Sequence, residues 1–316
     1  MIMKDIARKL KENDSIALVI HVNADADCVG SAVALLKVLR SMDKKVHIFC
    51  DGDIPARLSF LINEDYFASE DVYDVCIAID VAEKGMMGAM EDEIYNIAPV
   101  KCCLDHHSTN KGYADYNYID PKASAAGEIV YAFIKDFLNQ EITSDIAMHL
   151  YAAIASDTGS FKYSNTTERT HEIASKLIAT GFDAPHVMRV LFERKTKEQL
   201  MLNSEVISNL EFHMEDKVCV AVVDEKMLSK YNLDFGEADD IASIPRSIVG
   251  VEVGVYIKLK GENDCKISLR SNEYVDVAAI AKSLGGGGHI RAAGVTVKDS
   301  PAKAKEIILD LIQKVI

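Results

Sequence analysis

The residues with the clearest chemical potential lie in the stretch 21–31. His21, Asn23, Asp25 and Asp27 alternate along it, so an extended backbone would point all four side chains to one side. Carboxylates and an imidazole that converge without a cation repel one another or lose hydration at a large free-energy cost. A divalent metal ion removes that cost, and we therefore interpret the stretch as part of a metal site.

Two other interpretations of this stretch are a solvated polar loop and a calcium-binding EF-hand. The EF-hand loop requires glycine at its sixth position and glutamate at its twelfth. Counted from Asn23, those positions hold Cys28 and Ala34, which excludes the EF-hand. The polar loop remains an alternative at this point, because a metal site also needs ligands from other parts of the chain.

Further polar residues follow later apolar segments. Asp80 follows a predicted strand at 75–79, and Asp-His-His at 105–107 follows one at 99–104. Asp157 lies at the end of a predicted helix. The carboxyl ends of parallel strands meet at one edge of a sheet, where open α/β folds bind ligands. The candidate metal ligands are therefore His21, Asp25, Asp27, Asp80, His106 and Asp157.

The charge of these ligands predicts how many cations they bind. Four carboxylates and two neutral imidazoles balance two divalent ions. Oxygen-rich sites with imidazole favour Mn²⁺, with Mg²⁺ or Co²⁺ as alternatives. Two such ions, about 3.5–4 Å apart, can clamp the oxygens of a phosphoryl group. One carboxylate should bridge them, and Asp80, alone at the end of a central strand, is the best candidate.

Four motifs, in this order along the chain, resemble those of the DHH phosphoesterase superfamily. They are His-x-Asn-x-Asp-x-Asp at 21–27, the lone strand-end Asp80, Asp-His-His at 105–107 and Asp-Thr-Gly at 157–159. The glycine run 285–288 with His289 resembles the DHH-associated C-terminal domain. With its compact two-domain length, the chain resembles the nanoRNase and pAp phosphatase subfamily. Relatives of that subfamily include RecJ exonucleases, cyclic-di-AMP phosphodiesterases and family II inorganic pyrophosphatases.

The resemblance implies a role for each residue of the site. The expected ligands are His21 and Asp25 for one metal ion, Asp27, His106 and Asp157 for the other, and Asp80 for both. His107 would contact the scissile phosphate or protonate the leaving group. Asp105 would orient a ligand histidine without itself contacting the metal ion. The catalytic set implied is therefore His107, Asp105 and Asp80.

The sequence departs from the family pattern at one place. The usual proline and glycine around the first aspartate of the first motif are replaced by Ala24 and Ala26. Proline fixes φ and glycine permits positive φ, so we expect a changed loop geometry. Every ligand stays in place, and the reaction class is expected to be unchanged.

The glycine run 285–288 predicts a ligand contact in the second domain. It follows a predicted helix at 276–284, but a helix C-cap needs only one glycine. A Rossmann fingerprint is excluded because the run follows a helix and not a strand. Glycines allow the backbone to approach an anionic ligand closely, and this explains the run better than helix capping does. The residues expected to grip the distal phosphate or base are Arg270, Ser271, Gly286, Gly287, Gly288 and His289, with Arg246 and Arg291 as weaker candidates.

Apolar periodicity predicts the elements that position these residues. Strands at 16–20, 45–50, 75–79 and 99–104 alternate with helices at 2–12 and 28–41, which indicates a parallel sheet. Helices then follow at 123–138, 144–155, 168–179 and 185–210. A mixed sheet of strands at 218–223, 251–259, 265–269 and 292–297 follows, with helices at 276–284 and 302–316. We predict an α/β fold with a catalytic domain (1–190), a linker helix (191–210) and a substrate-binding domain (211–316).

Composition limits the partners and the location. A net charge of −14 disfavours binding of long duplex DNA, which needs a basic surface. No apolar run approaches the roughly 20 residues of a membrane span, and the charged N-terminus resembles no signal peptide. We therefore expect a cytoplasmic location and no membrane association. Seven cysteines without a Cys-x-x-Cys pair indicate free thiols. The sequence leaves a homodimer open.

Together these features predict a Mn²⁺-dependent phosphoesterase. Its expected substrates are short single-stranded oligonucleotides, cut to mononucleotides, and 3′-phosphoadenosine 5′-phosphate (pAp). One alternative is a cyclic-di-AMP phosphodiesterase, which would use the same ligands. The other is a nucleotide-binding or metal-sensing protein without turnover, suggested only by Ala24 and Ala26 and disfavoured by the intact ligand set.

Overall fold

The computed structural model describes residues 2–67, 72–261 and 263–316. The chain divides into two compact units, one ending at Arg194 and the other beginning at Lys195. The first contains a parallel sheet and the second a mixed sheet, so the predicted α/β class is confirmed. All seven cysteines lie in the described residues and are free.

The sheet of the first unit has five parallel strands. They are β1 (Ser15–Val19), β2 (Lys45–Phe49), β3 (Val75–Ile79), β4 (Val100–Asp105) and β5 (Tyr116–Ile119). Their spatial order is β2-β1-β3-β4-β5. The chain winds in opposite directions from β1, so the switch point where ligands bind falls between β1 and β3. β5 was not predicted, because its four residues are all half-buried and form no apolar run.

The described residues of this unit form six α-helices. They are α1 (Ile2–Glu12), α2 (Ala26–Ser41), α3 (Ala126–Ala132), α4 (Ser144–Asp157), α5 (Glu168–Ile178) and α6 (Ala184–Met188), and α3 continues as a π-helical segment to Leu138. A Cβ on Gly30 of α2 would lie 2.4 Å from the carbonyl oxygen of His149 in α4, so glycine permits close packing of these two helices. Within the described ranges, no helix has both the length and the apolar content to cross a bilayer.

The predicted continuous helix at 185–210 is wrong. After α6, a π-helical turn (Arg189–Glu193) ends at Arg194, whose backbone is not helical. A new helix, α7 (Lys197–Ser208), then begins at Thr196. The Thr196 hydroxyl accepts a hydrogen bond from the Gln199 amide and the Gln199 side chain accepts one from the Thr196 amide. This capping box starts a separate helix, and its Thr-x-x-Gln signature was readable in the sequence.

The apolar spacing of Met86, Met87 and Met90 predicts a helix after β3, and this prediction is also wrong. A 3₁₀ turn (Lys84–Met87) and a π-helical turn (Glu91–Tyr95) replace it. Gly88, at φ +59°, separates the two. A left-handed residue interrupts a helix, so apolar spacing alone gave the wrong result here.

The second unit contains a six-stranded mixed sheet. Its elements are α7, β6 (Glu211–His213), β7 (Val218–Asp224), α8 (Glu225–Lys230), β8 (Val253–Leu259), β9 (Cys265–Ser271), α9 (Val277–Ser283), β10 (Gly287–His289), β11 (Ala292–Val297) and α10 (Pro301–Gln313). The strand order is β10-β11-β9-β8-β7-β6, and only β7 and β8 run parallel. One apolar cluster lies between the sheet and helices α9 and α10, and a second involves α7, α8, β7 and β8.

Candidate metal centre

The carboxyl edge of the first sheet collects the predicted site residues. His21 lies two residues after β1, Asp80 directly follows β3, and Asp105 is the last residue of β4. Asp25 caps the N-terminus of α2, and Asp157 is the last residue of α4. The switch point of the sheet therefore brings together residues that are more than a hundred positions apart in the sequence.

Asp80 lies at the middle of this cluster. Its Oδ2 atom is 3.7 Å from His21 Nε2 and its Oδ1 atom is 3.4 Å from His106 Nε2. Its side chain is buried, and Oδ1 receives no hydrogen bond from any described residue. Its backbone is left-handed, at φ +59°, which aspartate tolerates better than most residues. The two carboxylate oxygens thus face two different imidazoles.

A first group of donors lies on the His21 side. His21 Nε2 is 3.8 Å from Asp25 Oδ1. The same oxygen accepts hydrogen bonds from the amides of Asp27 and Cys28, both at 3.0 Å, which fixes the Asp25 side chain. The Cys28 thiol lies within 4.8 Å of the other two donors and was not considered from the sequence. Its Sγ exchanges hydrogen bonds with the Asp25 backbone, so it belongs to the helix cap.

A second group of donors lies on the His106 side. His106 Nε2 is 3.3 Å from Asp157 Oδ2 and 3.8 Å from Asp27 Oδ2. The other ring nitrogen, Nδ1, lies 3.3 Å from the Ala123 carbonyl oxygen. That carbonyl can only accept a hydrogen bond, so it favours the tautomer that leaves Nε2 free of a proton for a metal ion. Contacts of 3.3–3.8 Å thus link all six predicted ligands.

The carboxylate of Asp27 is held by the N-terminus of α3. Its oxygens accept hydrogen bonds from the amides of Ala126 at 2.7 Å and Gly127 at 2.9 Å, and from the Ser31 hydroxyl at 3.1 Å. Burial and the carboxylates of Asp80 and Asp157 raise the pKa of Asp27 well above its usual range, and the N-terminus of α3, which favours negative charge, opposes this rise. Sequence reasoning missed this support, because nothing in the local sequence pairs Asp27 with residues a hundred positions later.

Asp105 contacts the ring of His107 and not that of His106. Its Oδ1 atom is 2.7 Å from His107 Nδ1 and also accepts hydrogen bonds from the backbone amides of His106 and His107. Its Oδ2 atom accepts a hydrogen bond from Asn110 Nδ2 at 2.7 Å. Asp105 thus contacts His106 through the backbone amide and His107 through both the amide and the ring. Asn110, which sequence reasoning missed, fixes Asp105 from the same loop.

The pKa values in this cluster reflect the short distances between several carboxylates and imidazoles. Burial would lower the pKa of His106, but Asp157 and Asp80 raise it to about 12. Burial and the carboxylates of Asp80 and Asp157 raise the pKa of Asp25 to about 6. Carboxylates that raise a histidine pKa this far also attract metal cations.

The pKa of His107 is raised, whereas that of Asp80 is lowered. Burial lowers the pKa of His107, but its hydrogen bond to Asp105 outweighs this and raises the pKa above the usual value. Burial would raise the pKa of Asp80, but His106 and His21 hold it well below the usual range. His107 is therefore suited to carry a proton beside an ionised Asp80, whose Oδ1 lies 3.5 Å from His107 Nδ1.

The donor set fits divalent cations. Three groups of His, Cys or Asp residues have ligand atoms within 4.8 Å of one another, and two of these groups share His106. The Oδ1 atom of Asp80 and the Nδ1 atom of His21 are buried and lack hydrogen bonds from described residues. Oxygen and imidazole donors suit Mn²⁺ and related ions better than thiophilic metals.

The second unit carries a row of residues on one face of its sheet. Gly254, Arg270, Ala292 and His289 are register partners across β8, β9, β11 and β10. Residues paired across antiparallel strands point to the same face, here the face opposite α9 and α10. A Cβ on Gly254 would lie 2.7 Å from the Arg246 amide nitrogen, so the backbone of Arg246 lies over this face at Gly254.

The four glycines 285–288 have different structural roles. Gly285 ends α9 in the left-handed region, at φ +82°. A Cβ on Gly286 would lie 2.3 Å from the Gly294 carbonyl oxygen, and one on Gly288 would lie 2.5 Å from that of Ala292. Three of the glycines are thus required by the helix end and the β10–β11 pair, whereas Gly287 has open space at its Cβ position and no positive φ. The run was not predicted as a strand because glycine disfavours strands.

Ser271 and Arg291 support a turn and do not face the row. Ser271 is 1% exposed and its hydroxyl donates to the Val275 carbonyl oxygen at 2.7 Å. The Arg291 guanidinium donates to the carbonyl oxygens of Val275 and Glu273. The expected contact of the Ser271 side chain with substrate is therefore corrected, because the side chain is covered and its hydroxyl is engaged.

Comparison with known proteins identifies both units. The N-terminal domain of the DHH family matches residues 15–154, and the DHHA1 domain matches residues 215–316. The bifunctional oligoribonuclease and PAP phosphatase NrnA of Thermus thermophilus is 29% identical, over 99% of this chain and 94% of that protein. The probable enzyme of the same name from Streptococcus mutans is 32% identical, over 92% of each.

A solved structure has the same fold over almost the whole chain. The crystal structure of an exopolyphosphatase-related protein from Bacteroides fragilis superposes with a TM-score of 0.91. The match covers 99% of this chain and 96% of that one, at 23% identity. At this identity the likeness is one of fold.

Proposed function

We propose that this chain, which belongs to the DHH family and carries a C-terminal DHHA1 domain, hydrolyses short oligonucleotides to mononucleotides and pAp to AMP. The observation that carries the proposal is Asp80, whose two oxygens face His21 on one side and His106 on the other. That arrangement suits a carboxylate bridging two cations. The names of the curated relatives support the choice of substrates.

The proposed ligand assignment follows the two donor groups. The residues that would hold one ion are His21 and Asp25, those that would hold the other are Asp27, His106 and Asp157, and Asp80 would bridge them. When bound, a pair of such cations acts as a Lewis acid on the phosphoryl oxygens and activates water as the nucleophile. The mixed imidazole and carboxylate donors favour Mn²⁺.

The protein residues of this site have separable tasks. Asp105 orients the His107 ring through Nδ1 and raises its pKa, which leaves Nε2 as the proton donor. His107 would donate that proton to the leaving oxygen or hold it against the phosphoryl oxygens. The α3 amides hold the Asp27 carboxylate in place, and the Ala123 carbonyl favours the ligating tautomer of His106.

The second unit would bind the part of the substrate that does not react. Arg270 and His289 share one face of the sheet, with the small Ala292 between them. Arginine and histidine there suit a phosphate, and the open Gly287 backbone leaves room beside it. A net charge of −14 fits a substrate of a few nucleotides better than long duplex DNA.

Product analysis tests the proposed substrates. The purified protein with Mn²⁺ should release AMP from the dinucleotide pApA and from pAp, and a chelator should stop both reactions. Cyclic-di-AMP should be hydrolysed more slowly than pApA. Faster turnover of cyclic-di-AMP would identify a cyclic dinucleotide phosphodiesterase instead. No turnover of any of the three substrates with Mn²⁺, Mg²⁺ or Co²⁺ would contradict an enzymatic role.

Replacing Arg270 with alanine should weaken substrate binding without changing the metal site. A charge-assisted arginine–phosphate contact contributes about 1.5–3 kcal/mol, so KM for pApA should rise about 10- to 100-fold. Hydrolysis of bis-p-nitrophenyl phosphate should change little, because this ester has no distal phosphate. Bound metal, measured by elemental analysis, should stay at the wild-type level.

Lys266→Ala is the matched control for Arg270→Ala. Lys266 is an exposed cation on the same strand, four residues earlier and on the same face. It should leave KM for pApA within about twofold of wild type, because screened surface charges contribute little. Equal losses of Arg270→Ala on both substrates would place Arg270 at the reacting phosphate or in the fold, contrary to the assignment.

A further inference from the structure

The turn 272–275, between β9 and α9, is held by a buried carboxylate. Glu252 is 4% exposed, and its Oε1 atom accepts hydrogen bonds from the amides of Tyr274 and Val275, both at 2.8 Å. Its Oε2 atom accepts one from the Glu273 amide at 3.0 Å. Three consecutive backbone amides thus converge on one side chain, which fixes the path of the turn.

Side-chain donors also fix this turn. The Arg291 guanidinium donates to the carbonyl oxygens of Glu273 and Val275, the two residues on either side of Tyr274. Asn272 Nδ2 donates to the carbonyl oxygens of Val251 and Arg246. The backbone around Tyr274 is therefore engaged through both its amides and its carbonyl groups.

Tyr274 projects from this rigid turn with 55% of its surface exposed. An aromatic ring on a fixed backbone loses little conformational entropy when a ligand binds, so it is a suitable stacking surface. The turn that carries Tyr274 also directly follows β9, the strand that carries Arg270. Tyr274 is four residues after Arg270, and Arg291 precedes Ala292, which is the register partner of both Arg270 and His289.

We infer that Tyr274 stacks on a nucleobase of the substrate while Arg270 and His289 hold its phosphate. The inference rests on the proposed function and adds to it the group that recognises the base. An aromatic face beside a cationic row is the usual combination for binding single-stranded nucleic acid. Stacking accepts any base, so this contact would favour nucleotides over other phosphate esters without selecting a sequence.

Substitution of Tyr274 tests the inference with paired substrates. Tyr274→Ala should raise KM for pApA about tenfold, with little change in kcat, because stacking one base on an aromatic ring has an effect of about this size. Tyr274→Phe keeps the ring and should stay within about twofold of wild type. A dinucleotide with an abasic unit at its distal position should bind wild type and Tyr274→Ala equally.

Phe212→Ala is the matched control, because Phe212 is an exposed aromatic residue, 45% exposed, on the edge strand β6 of the same unit. It should leave KM for pApA unchanged. Glu252→Gln should raise KM in the same direction as Tyr274→Ala, since its NH2 group would replace one acceptor oxygen and face at least one of the three backbone donors. Circular dichroism should be unchanged for both tyrosine variants.

Two results would overturn the inference. One is an unchanged KM for pApA in Tyr274→Ala, and the other is an equal increase for the abasic substrate. Either would leave the proposed function intact if the wild-type protein hydrolyses pApA. If the wild-type protein hydrolyses neither pApA nor pAp, the proposed function itself fails.

Discussion

Asp80→Asn should lower kcat by on the order of 10³-fold or more and remove bound metal from the site. An amide offers one neutral oxygen in place of a carboxylate, so it cannot bridge two cations between His21 and His106. The fold should survive, because asparagine also tolerates the left-handed backbone that Asp80 adopts at φ +59°. Elemental analysis, kcat with pApA and circular dichroism check the three parts of this result.

The chain provides a matched control for this substitution. Asp43 is exposed and has the same left-handed backbone, at φ +60°, so Asp43→Asn repeats the chemical change outside the site. It should leave activity and metal content unchanged. Metal binding to the wild-type protein should also raise its melting temperature, and this rise should largely disappear in Asp80→Asn. Full metal occupancy with full activity in Asp80→Asn would exclude the bridging role.

His107→Ala should lower kcat for pApA by about 10²- to 10⁴-fold while most of the metal stays bound. His107 contacts Asp105 and lies 3.5 Å from Asp80, whereas His106 lies among three carboxylates. The loss should therefore be one of rate and not of metal. Metal content and kcat, measured on the same preparation, separate the two effects.

The leaving group shows which task His107 performs. p-Nitrophenolate leaves without a proton, so His107→Ala should lose much less rate on bis-p-nitrophenyl phosphate than on pApA if His107 is the general acid. Equal losses on both substrates would indicate that His107 stabilises the phosphoryl oxygens instead. His106→Ala serves as the control that should lose metal. If His107→Ala loses as much metal as His106→Ala, the roles of the two histidines are reversed.

The sequence by itself determined the class of the fold and indicated the candidate metal ligands. Alternating apolar runs predicted the parallel sheet, because a strand buried on both faces needs a continuous apolar segment. Polar residues directly after three of those runs had to reach one edge, because parallel strands end on the same side. His21, Asp80 and the Asp105–His107 motif could therefore be placed together, and the resemblance to the DHH superfamily is confirmed by the matching domains.

Only the tertiary structure decided how these residues are supported. The pairing of Asp27 with the α3 amides, and of Asp105 with the His107 ring, depends on loops whose paths no local pattern encodes. The same holds for the glycine run, where contacts with β11 account for Gly286 and Gly288. Local apolar periodicity records which faces are buried, but not which distant group satisfies a polar side chain. For that reason the sequence predicted the candidate metal donors, whereas the residues that orient them, and the exposed Tyr274 on its hydrogen-bonded turn, became visible only in three dimensions.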